Sequence, residues 1–134
     1  MNHWLMKEEP KKCTFEEFVK DGKRVWKKVK NYQARNFIRD MEKGDLVLFY
    51  NSGDVKAVQG VAKVISDGGY ESPDDDRWTW VDIEPVEQFK NEVTLKQIKA
   101  DDFFEGLKLI RQTRLSVMPV SNAHFDKILS LSAE

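Results

Sequence analysis

The sequence predicts an α+β fold, in which a strongly curved, mainly antiparallel β-sheet or small barrel is surrounded by short helices. Two observations lead there. Apolar runs of strand length recur between turns rich in Gly, Pro, Asn and Asp, and hydroxyl residues that open helices stand between those runs at Thr14, Thr94 and Ser121. The length of 134 residues suits one domain spanning 1–134, with no room for a second core of comparable depth.

Each element follows in order. His3 to Lys7 reads as a first strand, with Trp4 and Met6 on one face and Leu5 on the other, ended by Glu9-Pro10. Thr14-Phe15-Glu16-Glu17 matches a capping box, so a helix of about two turns should bury Phe15, Phe18 and Val19 and close near Asp21-Gly22. Tyr32 to Met41 carries Ala34, Phe37, Ile38 and Met41 at helical spacing. After the Gly44-Asp45 turn, Leu46 to Tyr50 is a continuous apolar run, as expected of a central strand covered on both sides.

Asn51 to Asp54 then turns the chain into a hairpin partner, Ala57 to Ile65, whose internal Gly60 marks a bulge or a close backbone approach. Asp67 to Asp76 reads as an exposed acidic loop. From Trp78 the alternation of Val81 and Ile83 against Trp80 and Asp82 continues to Phe89, predicting one long, bent strand. A second capping box at Thr94 opens a short helix with Leu95 and Ile98 inward, and a helical turn follows around Phe103-Phe104. Arg114 to Val120 is extended, its Pro119 fitting an edge position, and Ser121 caps a last helix striped by Phe125, Ile128, Leu129 and Leu131.

Composition narrows the function. With 40% apolar and 34% charged residues the chain can bury a core and remain soluble, and its net charge of −1 attracts no polyanion globally. Any nucleic-acid affinity must be local. The start of the chain has neither the basic flank nor the apolar run of a signal peptide, and no window approaches the ~20 apolar residues of a membrane span, so a cytoplasmic monomer with no membrane association is expected. Cys13 stands alone, without a disulfide partner.

Catalytic signals are absent. His3 and His124 have no metal-site spacing, Asp74-Asp75-Asp76 lacks the rest of a calcium loop, and Gly68-Gly69 lacks the lysine and helix of a phosphate loop. No nucleophile, base and orienting group are brought together by spacing, and neither a metal nor a cofactor is expected.

One segment stands out. From Gly22 to Arg39 there is no acidic residue, while Lys23, Arg24, Lys27, Lys28, Lys30, Arg35 and Arg39 are basic and Trp26, Asn31, Tyr32, Gln33 and Asn36 are interleaved with them. Cations neutralise phosphates, rings stack on unpaired bases and amides bond base edges. The same pattern equally describes core aromatics beneath a solvated basic face.

Trp4-Leu5-Met6-Lys7 with Glu9-Pro10, Asn31 to Phe37, Gly44 to Tyr50 with Ser52, Arg77-Trp78, and Arg114 to Val117 with Pro119-Val120 together resemble the successive signature blocks of the EVE domain family, over nearly the whole chain. The resemblance implies a PUA-like fold akin to the YTH domains, and a non-catalytic module that binds DNA or RNA carrying a modified base, methylated or hydroxymethylated cytosine foremost. It carries a base pocket onto Trp26, Asn31, Tyr32, Asn36, Ser52, Trp78, Leu115 and Ser116, and a phosphate-contacting rim onto Lys27, Lys28, Lys30, Arg35 and Arg114. Trp26 and Trp78 would wall the base, with Asn31, Ser52 and Ser116 bonding its edge. Glu8, the short loop 67–76 and Met118 depart from the family pattern, and Met118 stands where a polar donor is expected. The alternatives are an enzyme acting on a modified nucleobase or nucleotide in the same pocket, and an accessory protein whose pocket takes a metabolite or peptide.

Overall fold

The computed structural model describes residues 2–134; Met1, where the expected domain span begins, lies outside the described residues. In chain order the elements are β1 (His3–Glu8), α1 (Phe15–Asp21), β2 (Arg24–Trp26), α2 (Tyr32–Arg39), β3 (Leu46–Asn51), β4 (Ala57–Val64), β5 (Tyr70–Glu71), β6 (Thr79–Thr94), α3 (Leu95–Lys99), a 3-10 turn (Asp102–Phe104), α4 (Lys108–Arg111), β7 (Val117–Val120) and α5 (Asn122–Ala133). The strands run β2-β6-β4-β3-β1-β7 across the sheet, with β5 paired to β6 off this path.

Every strand pair is antiparallel except β1 with β3, where Trp4 faces Val47 and Met6 faces Phe49. A parallel pair needs a long crossover. Here α1, β2 and α2 supply it, and the crossover brings the basic segment around to the end of β1. β3 is central, and its Val47, Leu48, Phe49 and Tyr50 are all buried. β1 is covered on both faces as well, since Trp4, Leu5 and Met6 are buried together.

Local signals account for the helix starts. Thr14 and Thr94 make complete capping boxes with Glu17 and Gln97, and Ser121 accepts the amide of His124. Gly22 ends α1 in the left-handed conformation (φ 77°), its amide bonding the Phe18 carbonyl, where a side chain would be strained. Phe15, Phe18 and Phe49 then pack as one aromatic cluster, with centroids 5.1 to 5.7 Å apart.

β6 is the predicted long strand, 16 residues from Thr79 to Thr94, and it bends because its pairing with β4 shifts register twice. One shift falls at Gly60. A Cβ there would lie 2.4 Å from Phe15 Cζ and 2.5 Å from the Glu87 carbonyl oxygen, so the close backbone approach read from the sequence is real.

The structure corrects several expectations. Val19 is 45% exposed, because a helix of seven residues turns only Phe15 and Phe18 to the core. Met41 is buried, yet it lies beyond the end of α2. The loop 67–76 is not wholly exposed: Tyr70 and Glu71 pair with Trp80 and Thr79, and Ser72 is buried. Gly68 and Gly69 let it lie against the end of α2, since added Cβ atoms would sit 2.4 Å from the Met41 oxygen and 2.6 Å from the Ile38 oxygen. β2 and α4, too short to show a period, were not expected from the sequence. Met118 is fully buried opposite Leu5, so it presents nothing to a ligand.

Candidate nucleic-acid interface

The crossover chain from β2 to α2, residues 27–31, organises the site. β2 pairs antiparallel with β6, Trp26 opposite Val81, and releases the chain as an extended segment that ends at Asn31. Asn31 is the N-cap of α2, its Oδ1 accepting the Ala34 amide at 3.0 Å. The first turn of α2 holds no acidic residue, so the positive end of its dipole is left uncompensated among the lysines.

On one side of this segment stands a column of rings and cations. The Trp78 indole and the Tyr32 ring are stacked with centroids 5.1 Å apart and planes at 22°. The Arg35 guanidinium lies 4.6 Å from the Tyr32 centroid, and the Lys30 ammonium lies 5.2 Å and the Arg77 guanidinium 6.0 Å from that of Trp78. Trp78 is buried under this cover while Tyr32 is 54% exposed.

Hydrogen bonds stiffen the column. Arg35 donates to the Arg77 carbonyl at 3.1 Å and through Nη2 to Asn36 Oδ1 at 2.9 Å. Arg77 is held in turn by Asp75, whose carboxylate accepts at 2.7 Å and is drawn down to a pKa of about 2 by those bonds. Lys27 stands 5.7 Å over the neighbouring Trp80 ring.

At Asn31 the same segment also lines a polar cavity of about 300 Å³, together with Gln33, Gln112, Thr113, Arg114 and Leu115. It is at the small end of the range for ligand pockets. Amides supply both donors and acceptors there, and Arg114 adds a charge at the mouth. Lys7 supports the wall: its ammonium donates to the Thr113 carbonyl at 2.9 Å, and its backbone amide donates to the Ser116 carbonyl at 2.9 Å. Burial lowers the Lys7 pKa from its ordinary value.

At the end of β1 the Ser52 hydroxyl donates to the Glu8 carbonyl at 3.1 Å, and the Ser52 amide bonds the same oxygen at 2.9 Å. The Glu8 side chain is buried (4% exposed) and takes Arg24 Nε at 2.9 Å and Lys28 Nζ at 2.5 Å. A buried carboxylate is tolerable only when so paired.

The residues expected at the site are therefore split. Asn31, Arg114 and Leu115 meet in the cavity, with Ser116 beside it through its carbonyl. Tyr32, Trp78, Lys30, Arg35 and Asn36 form or brace the column. Ser52 and Lys28 join Glu8 at the end of β1. The expected arrangement of two indoles walling one pocket is not what the structure shows: Trp26 is buried edge-on to Phe49 in the core, and neither indole lines the cavity. Pairing of β2 with β6 turns Trp26 inward. Sequence reasoning missed Gln112 and Thr113, named Gln33 among the interleaved amides without placing it in the pocket, and gave Lys7 and Arg77 no role of their own. Lys7, Arg77 and Gln33 sit inside recognised blocks, whereas Gln112 and Thr113 carry no local signal.

A family model described as the EVE domain matches residues 2–131. Thymocyte nuclear protein 1 of Mus musculus is 30% identical over 97% of this chain and 73% of that protein. The crystal structure of human thymocyte nuclear protein 1 in complex with 5-methylcytosine-containing DNA matches with a TM-score of 0.92 at 26% identity, covering 100% of this chain and 99% of that one. A YTH domain from Zygosaccharomyces rouxii, in complex with N6-methyladenosine RNA, is similar in fold alone, with a TM-score of 0.61 and 12% identity over 99% of this chain and 87% of that one. The curled sheet with its short helices is a PUA-like α+β fold. With the family model matching along nearly its whole length, this protein belongs to the EVE domain family.

Proposed function

We propose that this domain is a non-catalytic reader that binds DNA or RNA carrying a modified base, with methylated or hydroxymethylated cytosine its target. The observation that carries the reading is that one short segment, Lys30-Asn31-Tyr32, contributes both to a small polar cavity and to a stacked aromatic column studded with cations. Extruding a base into the cavity costs a few kcal/mol of unstacking, and a flanking base stacked on the exposed Tyr32 ring returns ~1–3 kcal/mol. Asn31, Gln33 and Gln112 then test the edge of the base in the cavity, while Lys27, Lys30, Arg35 and Arg114 meet the flanking phosphates. Trp26 underlies the segment as packing. The related human protein, whose structure contains 5-methylcytosine DNA, supports the same class of ligand.

The side chains at the site favour binding over chemistry. Ser52 Oγ is committed to a carbonyl and Asn31 Oδ1 to a helix amide, so neither is an activated nucleophile or base. The test is a titration against matched oligonucleotides, single- and double-stranded, with and without 5-methyl- or 5-hydroxymethylcytosine, alongside mass analysis of the recovered strands. Tighter binding of a modified strand that returns intact supports the reading. Equal affinity across the panel, or a converted base, overturns it.

A further inference from the structure

We infer that Glu8 is a specificity-determining residue: an internal anion that holds Arg24 and Lys28 away from nucleic-acid phosphates, so that this end of the sheet is selected by base rather than by charge. The inference deepens the proposed function and rests on it. Of the cations in the basic segment, Arg24 and Lys28 converge on one carboxylate: Glu8 Oε2 accepts Arg24 Nε at 2.9 Å, and Oε1 accepts Lys28 Nζ at 2.5 Å and the Glu9 amide at 3.0 Å. Three donors thus point at one buried group, which is the arrangement proteins use to hold a phosphate. Glu8 occupies that place itself.

The consequence is electrostatic. Lys30 and Arg35 lie over the Trp78 and Tyr32 rings and remain available to phosphate, whereas Lys28 is held against the Glu8 carboxylate although its side chain is 36% exposed. Salt dependence of binding counts only the cations that replace counterions. Lys28, which sequence reasoning placed among the phosphate contacts, should therefore be silent, and it tethers the 27–31 segment over the end of β1. With Glu8 cut back to alanine, Arg24, Lys28 and the Glu9 amide become an open anion site, and strands of any sequence gain a contact that ignores the base.

The experiment compares Lys28→Met, Lys30→Met and Glu8→Ala. In titrations of an unmodified duplex against salt, Lys30→Met should make the negative slope of log affinity on log salt shallower by about 0.9, the value of one phosphate contact, and Lys28→Met should leave it unchanged. Glu8→Ala should steepen it by about 1 to 2, and should shrink the affinity ratio between 5-methylcytosine and unmodified strands. Independently of nucleic acid, inorganic phosphate at millimolar concentration should raise the melting temperature of Glu8→Ala but not of the parent. If Lys28→Met makes the slope as shallow as Lys30→Met does, or if phosphate fails to stabilise a folded Glu8→Ala, the inference is wrong. A parent protein without modified-base preference, but with the slopes and phosphate effect as stated, would instead refute the reader function and leave the sequestration of Lys28 standing.

Discussion

Tyr32 lies face to face with Trp78, centroids 5.1 Å apart, and covers an indole that does not belong to the main hydrophobic cluster. The pair is stacked by sequence-distant elements, the first residue of α2 and the residue that leads into β6. Because Tyr32 is itself 54% exposed, the column presents an aromatic face to solvent beside Arg35. Tyr32→Ala should fold normally, shift tryptophan emission to the red as Trp78 is uncovered, and weaken binding of a 5-methylcytosine strand by ~1–3 kcal/mol, the worth of one stacking contact. Unchanged emission and affinity would remove the column from the interface.

Asn31 has two tasks that substitution can separate. Asn31→Ala loses the N-cap and should cost ~1 kcal/mol of stability in chemical denaturation. Asn31→Asp keeps an acceptor for the Ala34 amide but removes the amide donor facing the cavity. It should keep parental stability while losing modified-base discrimination. Equal discrimination in both proteins would show that the donor reads nothing.

Asp45 anchors the N-terminal strand from within. Its carboxylate accepts Trp4 Nε1 at 2.9 Å and the amides of Glu42 and Asn2 at 2.9 and 3.2 Å. Asp45→Ala leaves a buried indole N–H and two amides without their partner, and should cost ~2–4 kcal/mol in denaturant unfolding. A loss below ~1 kcal/mol would mean that water replaces the carboxylate.

Gly60 is constrained by space rather than by backbone angle. Gly60→Ala drives a methyl against Phe15 and against the Glu87 carbonyl, and backbone cannot move aside cheaply. A loss of ~1–3 kcal/mol is expected, with the midpoint of thermal unfolding falling accordingly.

Tyr50 and Tyr70 should ionise far above the ordinary tyrosine. Burial raises Tyr50 to about 12, and Tyr70, although 37% exposed, is raised to about 12 by partial desolvation of its hydroxyl and by the hydrogen bond it donates to Asp82 at 2.6 Å. Below pH 10 each holds its proton in both folded and unfolded chains, so neither contributes a pH dependence. Between pH 10 and about 12 the unfolded chain ionises while the folded one does not, and their contribution to stability falls as the pH rises. Tyrosinate absorbance of the folded protein, from three tyrosines in all, should show two titrating near 12. Ordinary midpoints near 10 for this pair would contradict the burial of Tyr50 and the Tyr70–Asp82 bond.

Much of the fold was legible because its signals are local. Capping boxes at Thr14 and Thr94, the apolar run of β3, the glycine inside β4 and the proline in edge strand β7 each depend on neighbours a few residues away. β2 and α4 were not legible, since three or four residues carry no periodicity, and β2 exists only because β6 offers it an edge. The loop at Gly68-Gly69 reads as polar and exposed until α2 is placed against it.

By itself the sequence determined the α+β class, the family blocks and the basic, aromatic-bearing segment, because composition and short-range spacing are properties of the chain. Only the tertiary structure decided which of those aromatics remain near the surface. Trp26 and Trp78 read alike in sequence, but pairing with β6 sends one into the core against Phe49, while the other lies beneath Tyr32. Likewise Lys28 and Lys30 are equivalent as letters. The crossover from β1 to β3 sets one against the buried carboxylate of Glu8 and leaves the other over an indole, because the energy of a charge depends on what stands within a few ångströms of it.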